Sequence, residues 1–287
     1  MKKIAVIDVG SNSVRLMFMA DGKILYKTLE ITRLGEGIAA TGELQPAAID
    51  RSAKAVASFY AQAKADGVET VCAFATAAVR SAKNGQAFLS AVRSLCGLEV
   101  EVISGEEEAE IGVLGALRGA DGGVIDIGGA STEIIVQQSG EILYKKSVDV
   151  GVVRLHDLCG REIEGLTDYC GSAVNAFGQV PHATLHAIGG TATSLASIAL
   201  RLKEYSSSAV TGYALTMSAL VKAIEYLKNT PPERVAVETC VPQKRAEVLL
   251  GGAVWLKMLL ESLRLKEVIV SDADNLEGYA IKKGLLK

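Results

Sequence analysis

An α/β architecture of two related lobes is the expectation for this 287-residue chain. Two observations carry it. The segment VIDVGSNSVRL at 6–16 returns as VIDIGGASTEI at 124–134, a shift of 118 residues, and the shift holds from DGKILY at 21–26 to SGEILY at 139–144. Around these copies, apolar strand-like runs alternate with helical periodicity, the pattern of sheets with helices packed on them. Composition agrees: 49% of the residues are apolar and only 5% aromatic, so the cores should be aliphatic and large enough to stand without staples.

Taken in order, each copy reads as a strand ending in Asp-x-Gly, a returning strand, and a glycine turn into a third strand. Pro46 opens a helix to about Asp66, and Gly67 closes it. A strand follows at 68–75, a helix from about Asn84 to Gly97, and a strand at 98–103. Ser104 and Glu107 stand in capping-box spacing at the head of the next helix. Gly119-Ala120-Asp121-Gly122-Gly123 divides the chain into domains 1–120 and 121–287, with the last helix free to pack back on the first domain. The second lobe adds a strand at 186–188 leading into Gly189-Gly190-Thr191-Ala192-Thr193, an amphipathic helix at 244–263, a last strand at 268–271 and a terminal helix.

Thirty basic residues against 33 acidic ones leave a net charge of −3, which argues against a nucleic-acid module working by bulk electrostatics. The five cysteines form no C-x-x-C pair, so buried small hydrophobes are expected rather than a disulfide framework or a zinc site. His156, His182 and His186 lack metal spacing. The apolar run after Met1-Lys2-Lys3 is interrupted by Asp8, and no stretch approaches a membrane span, so a cytoplasmic protein is expected.

The glycine loops carry the chemistry. Glycine lets backbone approach an anion, and successive N–H groups then cradle phosphate oxygens. Gly10, Ser11, Asn12 and Ser13 fit this in the first copy; Gly128, Gly129, Ala130 and Ser131 fit it in the second. Asp8 and Asp126 stand at the strand ends, placed either to hold Mg²⁺ through water or to orient a nucleophile. The bland alternative, that Asp-x-Gly only closes two hairpins, is weakened by its recurrence at constant register. Arg15 in the first copy becomes Glu133 in the second: a cation to neutralise phosphate, and a carboxylate to position water or metal.

Glu106, Glu107, Glu108 and Glu110 crowd one helix start, where acids complement the dipole. A wheel at about 100° per residue sets Glu108 apart, beside Gly112 and Gly115, and makes it a candidate general base. Arg80 and Arg33 are further phosphate candidates by their planar donor forks.

Six segments in order, IDVGSNSVRL, ATAAVRSAKN, ISGEEEA, VIDIGGASTE, GVVRL and AIGGTATSLA, resemble the exopolyphosphatase / guanosine pentaphosphate phosphatase family, of the actin, sugar-kinase and heat-shock superfamily. The resemblance implies two RNase-H-like domains flanking a cleft, and hydrolysis of terminal phosphoanhydride bonds dependent on Mg²⁺ (or Mn²⁺). It places the catalytic base on Glu108, a second water-holding glutamate on Glu133, the metal-associated aspartate on Asp126 and a phosphate-binding arginine on Arg80. Asn12, Ser13, Gly128, Gly129 and Ser131 become phosphate contacts. Inorganic polyphosphate is the first substrate implied and guanosine pentaphosphate the second; a homodimer is implied by analogy alone. An actin- or sugar-kinase-like ATPase using Gly189-Gly190-Thr191, or a non-catalytic phosphate or nucleotide sensor, are the readings from other classes. Two stretches depart from the family pattern: where Ser-x-x-Gly-Leu-Arg-Glu-Gly is usual, Ser271-Asp272-Ala273-Asp274-Asn275-Leu276-Glu277-Gly278 has Asp274 for glycine and Leu276 for arginine, and Arg245-Ala246-Glu247 stands where Arg-Ala-Asp is usual.

Overall fold

The computed structural model describes residues 2–286. Its first half builds β1 (Lys3–Val9), β2 (Ser13–Ala20), β3 (Lys23–Ile31), α1 (Ile38–Thr41), α2 (Pro46–Ala65), β4 (Thr70–Ala75), α3 (Ala77–Ser81), α4 (Gly85–Cys96), β5 (Glu101–Val102) and α5 (Gly105–Leu117). The second half continues with β6 (Gly122–Ile127), β7 (Thr132–Gln138), β8 (Glu141–Val148), α6 (Val152–Cys159), α7 (Ile163–Ala173), β9 (Leu185–Ile188), α8 (Gly189–Ala199), α9 (Ser207–Val210), β10 (Ala214–Thr216), α10 (Met217–Asn229), α11 (Pro232–Glu238), α12 (Gln243–Ser262), β11 (Glu267–Val270) and α13 (Asn275–Lys282). The strands form two mixed sheets, ordered β3-β2-β1-β4-β5 and β10-β11-β9-β6-β7-β8. This is the two-lobed, RNase-H-like α/β fold expected.

The sequence repeat is a repeat of structure down to its irregularities. β1–β2 and β6–β7 are antiparallel hairpins, and in both lobes the first strand also pairs in parallel with a later one, β4 or β9. The turns into β3 and β8 both put a non-glycine and then a glycine at positive φ: Asp21 (50°) and Gly22 (74°), Ser139 (54°) and Gly140 (80°). Even the bulges correspond, at Phe18/Met19 and Val136/Gln137.

Central strands β1 and β6 are buried almost end to end because both faces are covered, and apart from Lys3 their charged residues are the site aspartates Asp8 and Asp126, whereas edge strand β3 is exposed or half-buried up to Ile31. One face of the first sheet packs on α2 and α4. The other takes α5 and α13 through Ile111, Leu276, Tyr279 and Ala280, with Tyr279 stacked on Phe74 at 4.5 Å. The second lobe has its own aliphatic core around α12, with Trp255 buried in it.

Element boundaries follow local chemistry. Pro46 is the first residue of α2, Gly97 closes α4 at φ 70°, and the Ser104–Glu107 capping box is made in both directions. The strand expected over 98–103 shrinks to Glu101–Val102. These two are exposed at the sheet edge and pair only with Phe74 and Ala75. All five cysteines are free. Among the described residues, no helix is long and apolar enough to cross a membrane.

Candidate active site

A cleft of about 520 Å³ runs between the lobes, and the two glycine loops meet in it. Each loop is closed by the same bond, Gly10 N–H to the Ser13 carbonyl and Gly128 N–H to the Ser131 carbonyl, both 3.0 Å. They touch: a Cβ on Gly129 would stand 2.6 Å from Ser11 Cβ and 2.9 Å from Asn12 N, so only glycine lets the loops come this close. A third turn joins them where Gly189 adopts φ +78° at the head of α8, against Asp126 Oδ1.

The repeat brings unlike side chains to matching places. Asp8 lies across from Arg15 in β1–β2, and Asp126 across from Glu133 in β6–β7. Arg15 donates to Asp8 Oδ2 through Nε (2.9 Å) and Nη2, and through Nη1 to Asp274. Against the cost of burial, Asp274 and Asp8 hold its guanidinium well above the ordinary value. The expected phosphate-neutralising role of Arg15 therefore competes with two carboxylates already on it. Among the described residues, no cation pairs with Glu133. Its Oε1 accepts from Ser131 Oγ (2.7 Å) and Ser147 Oγ (2.6 Å), while Oε2 is buried without a partner. Burial, then the charges of Glu108 and Asp126, push Glu133 well above the usual carboxylate range.

Glu108 is buried on the face of α5 that carries Gly112 and Gly115, while Glu106 is exposed. Arg80, on α3, donates through Nη1 to Glu108 Oε2 and to the Ile103 carbonyl, both at 3.0 Å. Burial raises the Glu108 pKa more than Arg80 and Thr76 lower it. Asp126 is pushed up to about 7 by burial and then by Glu108. Asp8, Glu108 and Asp126 all line the cleft, so the site concentrates acids that resist ionising together.

Arg33 lies elsewhere. It pairs with Glu247 and donates to the Lys244 carbonyl (2.7 Å), tying the lobes together at the cleft rim. The sequence assigns no role to three site residues: Ser147, which reaches Glu133 from β8; Arg245, visible there only within Arg245-Ala246-Glu247 and a cleft cation without an ion-pair partner among the described residues; and Asn275, whose Nδ2 donates to Asp126 Oδ2 at 2.8 Å. Burial and neighbouring Arg15 lower Arg245 to about 10. Asp274 and Asn275 lie in the longer stretch that departs from the family pattern.

Among the described residues, no group of three or more His, Cys, Asp or Glu gathers into a metal cage. The donors nevertheless suit Mg²⁺, a hard cation usually held by one or two carboxylates together with substrate phosphates. Asp8 Oδ1 is buried with no hydrogen-bond partner beside the glycine loops, and Asp126 is close by.

The profile of the Ppx/GppA phosphatase family matches residues 18–286. The chain belongs to the Ppx/GppA phosphatase family. These enzymes are hydrolases of phosphoanhydride bonds. Exopolyphosphatase 2 of Mycobacterium tuberculosis is 30% identical over 313 residues, covering 97% of this chain and 98% of the relative. A guanosine-5'-triphosphate,3'-diphosphate pyrophosphatase of Photobacterium profundum is 34% identical over 157 residues, 52% of this chain and 32% of that longer protein. The Ppx/GppA family member of Aquifex aeolicus superposes with a TM-score of 0.79 at 30% identity, covering 99% of this chain and 98% of that one.

Proposed function

We propose that the chain releases terminal orthophosphate from inorganic polyphosphate by direct attack of water on the terminal phosphorus. The observation that carries this is the buried Glu108, fixed by Arg80 and lining one cleft with the two glycine loops, with Glu133 behind the second. Glu108 takes the proton of the attacking water, and its raised pKa makes it a better base than a surface carboxylate. Glu133, held by Ser131 and Ser147 behind the second loop, would orient the same water from there with its unpartnered oxygen. Asn12, Ser13, Gly129 and Ser131 are assigned to hold the phosphate, chiefly through backbone N–H groups aimed at developing charge; the Gly128 N–H closes its loop and the Ser131 hydroxyl is on Glu133, so Gly128 serves by letting the backbone approach. Arg80 acts through Glu108. Asp8 and Asp126 are the residues that would hold Mg²⁺, which when bound neutralises charge on the phosphates.

Polyphosphate is placed first because the exopolyphosphatase relative matches end to end, while the guanosine pyrophosphatase is much longer than this chain. Guanosine pentaphosphate is the second reading. One observation favours it: beyond the loops the cleft is lined by Val241, Pro242, Val248 and Leu249, an apolar slot suited to a base. Phosphate release from short polyphosphate, long polyphosphate, guanosine pentaphosphate and ATP, with Mg²⁺, tests both. The expected result is turnover of polyphosphate, and a loss of about 10²–10⁴-fold in Glu108→Ala with the fold intact. Turnover of the nucleotide alone selects the second reading, and full activity in Glu108→Ala removes the assigned base.

A further inference from the structure

The head of α13 reaches both strand-end aspartates, Asp126 directly and Asp8 through Arg15. Asp274 is its N-cap: Oδ1 accepts from Leu276 N (3.1 Å), and Glu277 Oε2 accepts from Asp274 N (3.1 Å). The other Asp274 oxygen is paired with Arg15, whose remaining nitrogens hold Asp8 Oδ2. The next residue, Asn275, donates Nδ2 to Asp126 Oδ2 at 2.8 Å, with both side chains buried. Two consecutive residues thus fix one oxygen each of two aspartates that lie 118 positions apart in the repeat. In Asp8 the second oxygen, Oδ1, is left without any partner. In Asp126 the second oxygen faces the Gly189 turn.

Helix packing makes this reach possible. A Cβ on Gly115 would overlap the Asp274 carbonyl oxygen, and one on Gly112 would stand 3.1 Å from Asn275 Oδ1. Bare glycine on α5 therefore lets the head of α13 sit deep enough to touch the site.

We infer that Asn275 and Asp274 are positioning residues for the reaction: through one oxygen of each they fix the rotamers of Asp126 and Asp8, and so where the free oxygens point. The sign of the chemistry is right. An amide N–H is a donor that adds no charge beside Asp126, and a carboxylate is what the far side of Arg15 needs to stay stretched between two acids. Neither residue need touch the substrate; a reacting geometry displaced by about 1 Å can cost on the order of 10²-fold in rate.

The inference rests on the hydrolase reading, so its test has one arm that needs no turnover. Asn275→Leu keeps the branched heavy-atom outline and the Asp274 cap, and removes the donor, at the cost of bulkier methyl groups. With polyphosphate and Mg²⁺, kcat should fall at least about tenfold while KM moves less than about threefold, in a protein that still unfolds cooperatively though at a lower temperature. Asn275→Ser, smaller and still polar, carries the test if the leucine variant does not fold. In ¹³C-aspartate-labelled protein, the Asp126 carboxyl resonance, assigned with Asp126→Asn, should move in the Asn275 variant. Wild-type kcat in a folded Asn275→Leu overturns the inference, as does a KM rise at constant kcat or an unmoved Asp126 resonance. If the wild type releases no phosphate at all, the hydrolase reading fails and the resonance alone decides.

Discussion

Burial and the Glu108 charge hold the Asp126 carboxyl at about 7 in the folded chain. Unfolded, the same group titrates near about 3.9. Between these values the folded state carries a proton that the unfolded state has lost, so this group's contribution to stability falls as pH rises through that window and is flat above about 7. Asp126→Asn removes the titration. Without divalent cation, the stability of the variant relative to wild type should therefore rise between pH 5 and pH 8, by on the order of 2 kcal/mol. Urea unfolding at the two pH values measures it, and a difference that does not change with pH rejects the account. At this scale the sequence was informative about Glu108, because a helical wheel uses only neighbouring positions and the structure does bury Glu108 while exposing Glu106. It was silent about Asn275. The Asn275–Asp126 bond joins residues 149 apart, and the Arg15–Asp274 pair spans 259. No periodicity or capping rule reaches that far; the stretch was visible only as a departure from a pattern.

At the level of elements, the closeness of α5 and α13 is what brings α13 to the site. A Cβ on Gly278 would overlap the carbonyl oxygen of Ile111, which is backbone and cannot swing aside. Gly278→Ala must push the helices apart, and an overpacked contact of this kind should cost about 3 kcal/mol or more. Gly165, exposed in α7, has nothing nearer its would-be Cβ than Cys159 Cβ at 3.8 Å. Gly165→Ala should be neutral or stabilising by up to about 1 kcal/mol. Denaturant midpoints compare them, and equal costs at the two sites would show that helix propensity alone governs both. The hairpins, the α2 and α4 ends and the α5 capping box were legible because each is set by residues within a few positions. β5 was not. Its apolar flanks, Leu98 and Ile103, are buried by other elements, and the sheet edge leaves only Glu101 and Val102 to pair.

Across the whole molecule, the lobes are joined in two unlike ways. On one side α5 and α13 share a buried apolar core with the first sheet, and α5 also packs on β6 of the second. On the other, the segment 31–37 of the first lobe contacts the second through polar bonds, next to where α1 packs on α6. Arg33 pairs with Glu247, Gly37 N–H donates to Asp157 Oδ2 (2.8 Å), and Lys244 Nζ donates to the Ile31 carbonyl (3.4 Å). Apolar packing resists shear, whereas partly solvated polar contacts break and re-form at little cost, so the second side is the one to open for substrate entry. Arg33 and Glu247 retain 18% and 27% side-chain exposure, so their pair contributes at most about 1 kcal/mol to the closed form. Removing it shifts the closed-to-open ratio by up to about fivefold. A substrate that binds the closed form should then show a KM for polyphosphate raised by up to that factor in Arg33→Ala, with kcat at saturation preserved, because the bound form is closed in either protein. Glu247→Ala should do the same, and the double variant should be no worse than either single one, since both remove one contact. Additive losses, or a fall in kcat at constant KM, would place Arg33 in the chemistry instead of at the clasp.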